Sequence, residues 1–257
     1  MSLRVAAIQH DIAWEDRAAT LAALEPKVAE ATAAGARLVL LPETFAVGFS
    51  MRTDRIAEPV EGPTATWLGA QAEAHGAWIA GSVPEQADGA DRPSNVLVLA
   101  GPKGQRVRYA KRHPFSFGGE ADHFIRGDDL VTTEVDGVRL SLAVCYDLRF
   151  ADQFWRQGPT TDAFLVVANW PRARMAHWRA LLVARAIENQ AYVVGVNRAG
   201  TAGDGTHHSG GSCIIDPLGV MVADAGEVDE ERILLGDLDP EVVAATRARF
   251  PFAADRR

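Results

Sequence analysis

Only two of the 257 residues are cysteine, Cys145 and Cys213. Two thiols cannot build the disulfide framework of a small secreted domain, so the chain fits a reducing compartment. Basic residues are also short, with 26 Lys and Arg against 34 Asp and Glu and a formal net charge of −8. That balance argues against nucleic acid and against an anionic membrane surface as partners. No apolar run reaches the length of a membrane span. The opening Met-Ser-Leu-Arg-Val-Ala-Ala-Ile lacks the apolar core and cleavage site of a signal peptide, and a cytoplasmic protein is expected. Solenoid-period repeats, low-complexity tracts and interdomain linkers are missing too, which leads us to expect one domain over residues 1–257. A chain of this length buries roughly 70–75% of its unfolded surface, so its core needs no staples.

What is present centres on Ser141-Leu-Ala-Val-Cys-Tyr-Asp-Leu-Arg-Phe150. Leu140, Leu142 and Val144 alternate with Arg139, Ser141 and Ala143, the pattern of a strand with a deeply buried face. The alternation stops at Cys145. Asp147 then suits the cap of a helix from about Leu148 to Gln153. A thiol at a strand end, ahead of a helix, occupies the rim where open α/β sheets place ligands. The stretch by itself leaves open whether Cys145 is a nucleophile or a small buried hydrophobe.

Ahead of this stretch, Leu3 to Ile8 reads as a strand. A helix runs from about Asp16 to Ala34, with Pro26 at a kink or near its first turn. Arg37 to Leu41 is a second strand, and Pro42 ends it, so Glu43 falls on a rim loop. Thr64 is the expected cap of a helix to His75, and Trp78 to Val83 is a third strand. Pro84 to Ser94 reads as surface loop. Asn95 to Ala100 and Arg106 to Ala110 flank Gly101-Pro-Lys-Gly104 as a hairpin. Its second strand runs into Lys111-Arg-His-Pro-Phe-Ser-Phe-Gly-Gly-Glu120, a long loop too mixed for a regular buried element.

After it, Asp162 to Ala168 is a strand ending in the loop Asn169-Trp-Pro-Arg-Ala-Arg174. Met175 to Gln190 is a helix and Tyr192 to Asn197 a strand. Ser212 to Ile215, Gly219 to Ala223 and Arg232 to Asp237 read as short antiparallel strands. Asp239 with Pro240 opens a last helix to about Arg247. The tail from Arg249 to Arg257 is expected against a neighbouring subunit. Strands that first alternate with helices and later pair as hairpins suggest two packed mixed sheets with helices outside.

Glu43, Lys111 and Cys145 thus share one kind of position. A cysteine nucleophile needs a base, a donor for the developing oxyanion, and water for deacylation. A carboxylate can take the thiol proton, and a lysine can hold the oxyanion. An unperturbed Glu near about 4.3 is a poor base for a thiol near about 8.5, so burial should raise the one and the lysine should lower the other. His10, His113, His207 and His208 lack a clear Asn or Asp partner by spacing and read as structural. Cys213 reads as core.

Leu-Pro-Glu-Thr-Phe45, Tyr-Ala-Lys-Arg-His113 and Val-Cys-Tyr-Asp-Leu-Arg-Phe150, in this order and separation, resemble the three signature segments of the nitrilase, or carbon–nitrogen hydrolase, superfamily. The resemblance runs over essentially the whole chain. It implies a four-layer αββα sandwich of two mixed β-sheets with helices on the outer faces. It also implies homodimers or higher homo-oligomers, and a Glu–Lys–Cys triad with neither metal nor organic cofactor. On the matching positions Glu43 is the general base, Lys111 the oxyanion stabiliser and Cys145 the nucleophile. Glu120 matches the second glutamate, which positions the lysine and substrate, and the backbone N–H of Tyr146 is the other oxyanion donor. Asn169 to Arg174, Ala184 to Tyr192 and Asn197-Arg198 are similar to the omega-amidase branch, which acts on 2-oxoglutaramate and 2-oxosuccinamate. An anionic amide needs a cation in the pocket, and Arg174 is the expected partner of the distal carboxylate, with Trp170 as a wall. Arg149 is expected in a structural pair, as are Arg185, Glu188 and Asn189. Two alternatives remain beside an omega-amidase. One is a related hydrolase of N-carbamoyl compounds, neutral amides or nitriles. The other is an inactive scaffold or small-molecule sensor.

Overall fold

Residues 2–255 are described by a computed structural model. Apolar runs set its strands. Leu3–Gln9 (β1) and Leu38–Leu40 (β2) pair in parallel, joined through the helix Arg17–Ala33 (α1). Near-continuous apolar strands of this kind suit a sheet covered on both faces. Asp16 caps α1 by accepting from the Ala19 amide at 3.0 Å. Pro26 lies mid-helix rather than in the first turn, on the exposed side, where water can take the carbonyl its missing N–H leaves unpaired. A short helix, Thr53–Ile56 (α2), and a two-residue strand, Glu58–Pro59 (β3), precede the helix Pro63–His75 (α3). Thr64 is not its cap. Gly62 takes that position because Pro63 occupies the first helical turn. The buried Glu58 carboxylate accepts from the Thr64 amide and hydroxyl, at 2.8 Å each, and does the capping from outside the helix.

Trp78–Gln86 (β4), Ser94–Ala100 (β5) and Arg106–Ala110 (β6) form a meander. β4 runs past Val83 because Pro84 and Glu85 pair with Asn95 and Ser94. A single turn, Glu120–His123 (α4), leads to Thr132–Val135 (β7) and Val138–Val144 (β8). After β8 the expected helix is displaced. Cys145–Arg149 forms a 3₁₀ turn, and the helix Ala151–Gln157 (α5) starts only after Phe150. Asp147 does not cap α5; it lies inside the 3₁₀ turn, where its side chain accepts from the Val144 amide and from Tyr109 and His113. Ala163–Ala168 (β9), the helix Met175–Asn189 (α6) and Tyr192–Asn197 (β10) follow. Residues 198–211, rich in glycine, hold two paired strands, Ala199–Thr201 (β11) and His207–Ser209 (β12). Cys213–Ile215 (β13), Met221–Asp224 (β14), Arg232–Leu238 (β15) and the helix Pro240–Arg249 (α7) complete the order. Asp239 caps α7 through the Glu241 amide at 2.9 Å. Of the expected tail contact, residues 256–257 lie outside the described residues.

Two mixed sheets result. One has the order β15-β1-β2-β4-β5-β6 with β3 beside β4, and the other β14-β13-β10-β9-β8-β7. Val5, Ala7, Leu40 and Leu97 of the first sheet interleave with Leu140, Leu142, Val144 and Val194 of the second. The outer face of the first sheet is covered by Leu24 and Val28 of α1 and Leu68 of α3. The outer face of the second is covered by Phe154 of α5 and Trp178 and Leu182 of α6. The architecture is the four-layer αββα sandwich.

Candidate active site

Four segments leave the two sheets at one edge. Glu43 lies just past β2, Lys111 directly follows β6, Cys145 directly follows β8, and Asn169 directly follows β9. The packing of the sheets therefore brings together rim residues that are far apart in sequence. Cys145 has a φ of +46°, a left-handed conformation that costs a non-glycine residue about 1–3 kcal/mol and recurs at functional sites.

Glu43, Lys111 and Glu120 are buried. The Lys111 ammonium donates to Glu43 Oε1 at 2.7 Å and to Glu120 Oε1 and Oε2 at 3.0 and 2.8 Å. Burial works against this cation, but Glu120, Glu43 and Cys145 together outweigh it, and its pKa is raised. Glu120 is raised by burial, against the pull of Lys111, and its Oε2 also accepts from the Phe115 amide at 2.6 Å. Glu43 Oε2 accepts from the Asn169 amide at 2.9 Å, and the Asn169 side chain holds the Glu43 carbonyl at 2.5 Å. Cys145 departs from expectation. Burial and the charge of Glu43 push its thiol well up, and Lys111 only partly offsets them. The resting sulfur is therefore a thiol, not a thiolate.

Asp147 fixes the turn that carries Cys145. It is buried, and its Oδ2 accepts from the Val144 amide at 2.9 Å and from the Tyr109 hydroxyl at 2.7 Å. Its Oδ1 accepts from the His113 amide at 3.0 Å and lies 2.8 Å from His113 Nδ1. His113 stacks on Phe150 with ring centroids 3.8 Å apart. His113, expected to lack an Asn or Asp partner, has one in Asp147. Tyr146 is the second residue of the 3₁₀ turn that Cys145 opens, where a backbone N–H has no partner within the turn.

Glu43 and Cys145 lie on the wall of a cavity of about 770 Å³. Trp170 and Arg174 both line it: Trp170 Nε1 donates to the Arg174 carbonyl at 2.8 Å, and the Arg174 guanidinium lies 5.2 Å from the Phe115 ring centroid. Arg149 has a side-chain partner in His177, whose Nδ1 lies 3.2 Å from its Nη2. It has no carboxylate partner among the described residues, lines the cavity, and lies over the rings of Trp170 and Tyr146 at 4.8 and 5.8 Å. Arg52 also lines the cavity, but Glu15 engages it through both carboxylate oxygens. Arg185 is structural, donating to the Leu148 carbonyl and pairing with Glu188. Cys213 is core, and burial pushes its thiol up to about 12. His208 lines the cavity, and burial lowers it to about 4, so its imidazole is neutral near pH 7.

The family model described as carbon-nitrogen hydrolase matches residues 4–248. The chain belongs to the carbon–nitrogen hydrolase family. Its similarity to the omega-amidase YafV of Yersinia enterocolitica is 39% identity, over 97% of this chain and 95% of that protein. The 2-oxoglutaramate amidase of Bacillus subtilis is 34% identical, over 86% of this chain and 85% of the other. Among solved structures, the carbon–nitrogen hydrolase XC1258 of Xanthomonas campestris superposes with a TM-score of 0.94 at 37% identity. It covers 100% of this chain and 98% of its own. That protein carries an arsenic adduct in its active site.

Three contributors to this carbon–nitrogen hydrolase site escaped the sequence. Asp147 looked like a cap because Asp after a strand so often is one. Asn169 stood out only within a segment, with no sign that its amide holds Glu43. Asn95 read as the first residue of a strand, and its polar side chain at the rim end of that strand was the one available signal.

Proposed function

We propose that the protein is an omega-amidase that cleaves the terminal carboxamide of a short 2-oxo acid, of the 2-oxoglutaramate or 2-oxosuccinamate type, with release of ammonia. The observation that carries this reading is the buried Glu43–Lys111–Glu120 cluster beside Cys145, with Glu43 and Cys145 on the wall of a cavity that also bears guanidinium groups. The names of the two relatives at 39% and 34% identity point the same way.

The chemistry follows from the resting protonation. Cys145 starts as a thiol, so Sγ attacks the amide carbonyl carbon as Glu43 takes its proton. The oxyanion is held by Lys111 and the Tyr146 N–H. Lys111 has three N–H donors, and one turns to the oxyanion as its two contacts with Glu120, at 3.0 and 2.8 Å, are reduced to one. Glu120 keeps the ammonium in place. The C–N bond then breaks as Glu43 returns its proton to nitrogen, ammonia leaves, and the acyl group stays on sulfur as a thioester. Water attacks the thioester carbonyl and gives a proton to Glu43. The C–S bond breaks, and sulfur recovers that proton. Arg174 pairs with the distal carboxylate and Trp170 walls the acyl chain, and none of the steps calls on a metal or organic cofactor.

A cytoplasmic homodimer is the working form we infer. Ile187 on α6 lies against Gly219, between the exposed Leu218 and Val220, and Val222 on β14 is exposed as well. No helix among the described residues is long and apolar enough to cross a membrane.

Ammonia release from 2-oxoglutaramate, an N-carbamoyl amino acid, a neutral aliphatic amide and a nitrile tests the proposal. Turnover confined to a neutral amide or nitrile overturns the omega-amidase reading. Mass spectrometry should find an acyl adduct on Cys145 that Cys145→Ala lacks. No adduct with any amide would favour an inactive scaffold.

A further inference from the structure

Asn95 touches every member of the charged cluster and does not line the cavity. Its side chain is buried, and its Nδ2 lies 2.8 Å from Glu43 Oε1 and 3.2 Å from Glu120 Oε1. Its backbone carbonyl accepts the Lys111 amide at 2.8 Å. The two side-chain N–H bonds are thus divided, one to each carboxylate.

The charge count gives this arrangement a purpose. Among the described residues, Lys111 is the one cation that pairs with either glutamate. One buried positive charge faces two carboxylates, and carboxylates that share a buried site resist ionising together. The other donors around them are the amides of Asn169 and Phe115, with the Cys145 thiol facing Glu43. A second lysine in place of Asn95 would neutralise the pair and weaken the base. An aspartate would add a third acceptor. A primary amide supplies two donors and no charge.

We propose that Asn95 is a positioning residue, which holds the Glu43 carboxylate aimed at Cys145 by bridging it to Glu120. The inference rests on the assignment of Glu43 as general base. Donors to a carboxylate favour its charged form, so their loss moves the pH at which the base becomes available. The bridge also explains how Glu43 and Glu120 keep separate roles around one ammonium. Glu120 is tied on its far side to the Phe115 amide and Glu43 to the Asn169 amide, and Asn95 spans the gap between them.

The test is Asn95→Leu, close in volume and without donors. Two pH profiles are measured: kcat/KM with 2-oxoglutaramate, and the alkylation rate of Cys145 by iodoacetamide, which needs no turnover. The expected result is an acid limb moved up by about one pH unit in both. That is a loss of about tenfold on the acid side, with rates approaching wild type at alkaline pH. A uniform drop in rate with the limb in place would mean a merely structural role and would overturn the proposal, as would unchanged profiles. Should Asn95→Leu fail to fold by circular dichroism, Asn95→Ser, which keeps one donor, is measured in the same way, and an unmoved limb overturns the proposal there too. If the wild type releases no ammonia from any omega-amide, the proposed function fails, while the alkylation profile still decides the role of Asn95.

Discussion

The hydroxyl of Tyr109 donates a 2.7 Å hydrogen bond to Asp147 Oδ2, tying the strand before Lys111 to the turn that carries Cys145. Tyr109 comes from the first sheet and Asp147 from the second, so this bond crosses the sandwich at the edge where the site lies. Burial, reinforced by the Asp147 charge, pushes the phenol well up and keeps it a donor at any working pH. Tyr109→Phe should cost about 1–2 kcal/mol, because it leaves a buried carboxylate short of one donor. Asp147→Ala removes the acceptor for the Val144 and His113 amides as well, and should cost more. Urea unfolding measures both, and kcat should fall further for Asp147→Ala because the Cys145 turn loses its anchor. Equal kcat in the two variants would show that the turn holds itself.

Much of the layer architecture was legible, because strand and helix periods are local. Leu140, Leu142 and Val144 face the inter-sheet core while Ala143 faces α6, as their alternation indicates. Glu43, Lys111 and Cys145 were legible as rim residues, because each sits where an apolar run ends. The supporting shell was not. Asp147 answers to Tyr109 and His113, on a strand and loop far away in sequence. Glu58 caps a helix that it does not belong to. Arg149 meets His177 and the rings of Trp170 and Tyr146. Such partners are set by tertiary contact, on which local sequence is silent.

Gly81 on β4 should not tolerate a side chain. A Cβ there would lie 2.4 Å from Cδ1 of Phe45, a buried ring two residues past Glu43. Gly81→Ala therefore overpacks the core at a cost of about 1–3 kcal/mol. Because Phe45 cannot move without its loop, kcat should fall more than KM rises. Full activity alongside lowered stability would show that Phe45 yields without moving Glu43.

Two buried histidines should make stability fall with acid. Burial lowers His10 from 6.5 to about 3, against the Asp11 carbonyl, and lowers His208 to about 4. The unfolded chain takes up these protons near pH 6.5 and the folded chain only near 3 to 4. Their contribution is complete above pH 6.5 and is lost as pH falls towards 3 to 4. Glu85 and Glu120, raised by burial, act in the opposite sense, so the informative quantity is a difference between proteins. His10→Gln should flatten the dependence of unfolding free energy on pH by up to about 1.4 kcal/mol per unit between roughly pH 4 and 6. Urea unfolding at a series of pH values measures it, and an unchanged slope would mean that His10 is already charged in the folded protein.

Substrate charge should be read by Arg174. Of the cavity arginines, Arg52 is engaged by Glu15, whereas Arg149 and Arg174 lie over aromatic rings with no carboxylate partner among the described residues. A ring face leaves the edge of the guanidinium, with its forked donors, open to a planar carboxylate. Losing a hydrogen bond to a charged group costs about 1.5–3 kcal/mol, or roughly 10- to 150-fold in affinity. Arg174→Ala should therefore raise KM for 2-oxoglutaramate by at least about tenfold, leave hydrolysis of a neutral amide unchanged, and weaken the salt dependence of kcat/KM. Arg174→Lys should recover only part of the loss, because a point charge cannot reproduce the fork. An unchanged KM in Arg174→Ala, with the same rise appearing in Arg149→Ala, would move the carboxylate to Arg149, on the same turn as Cys145.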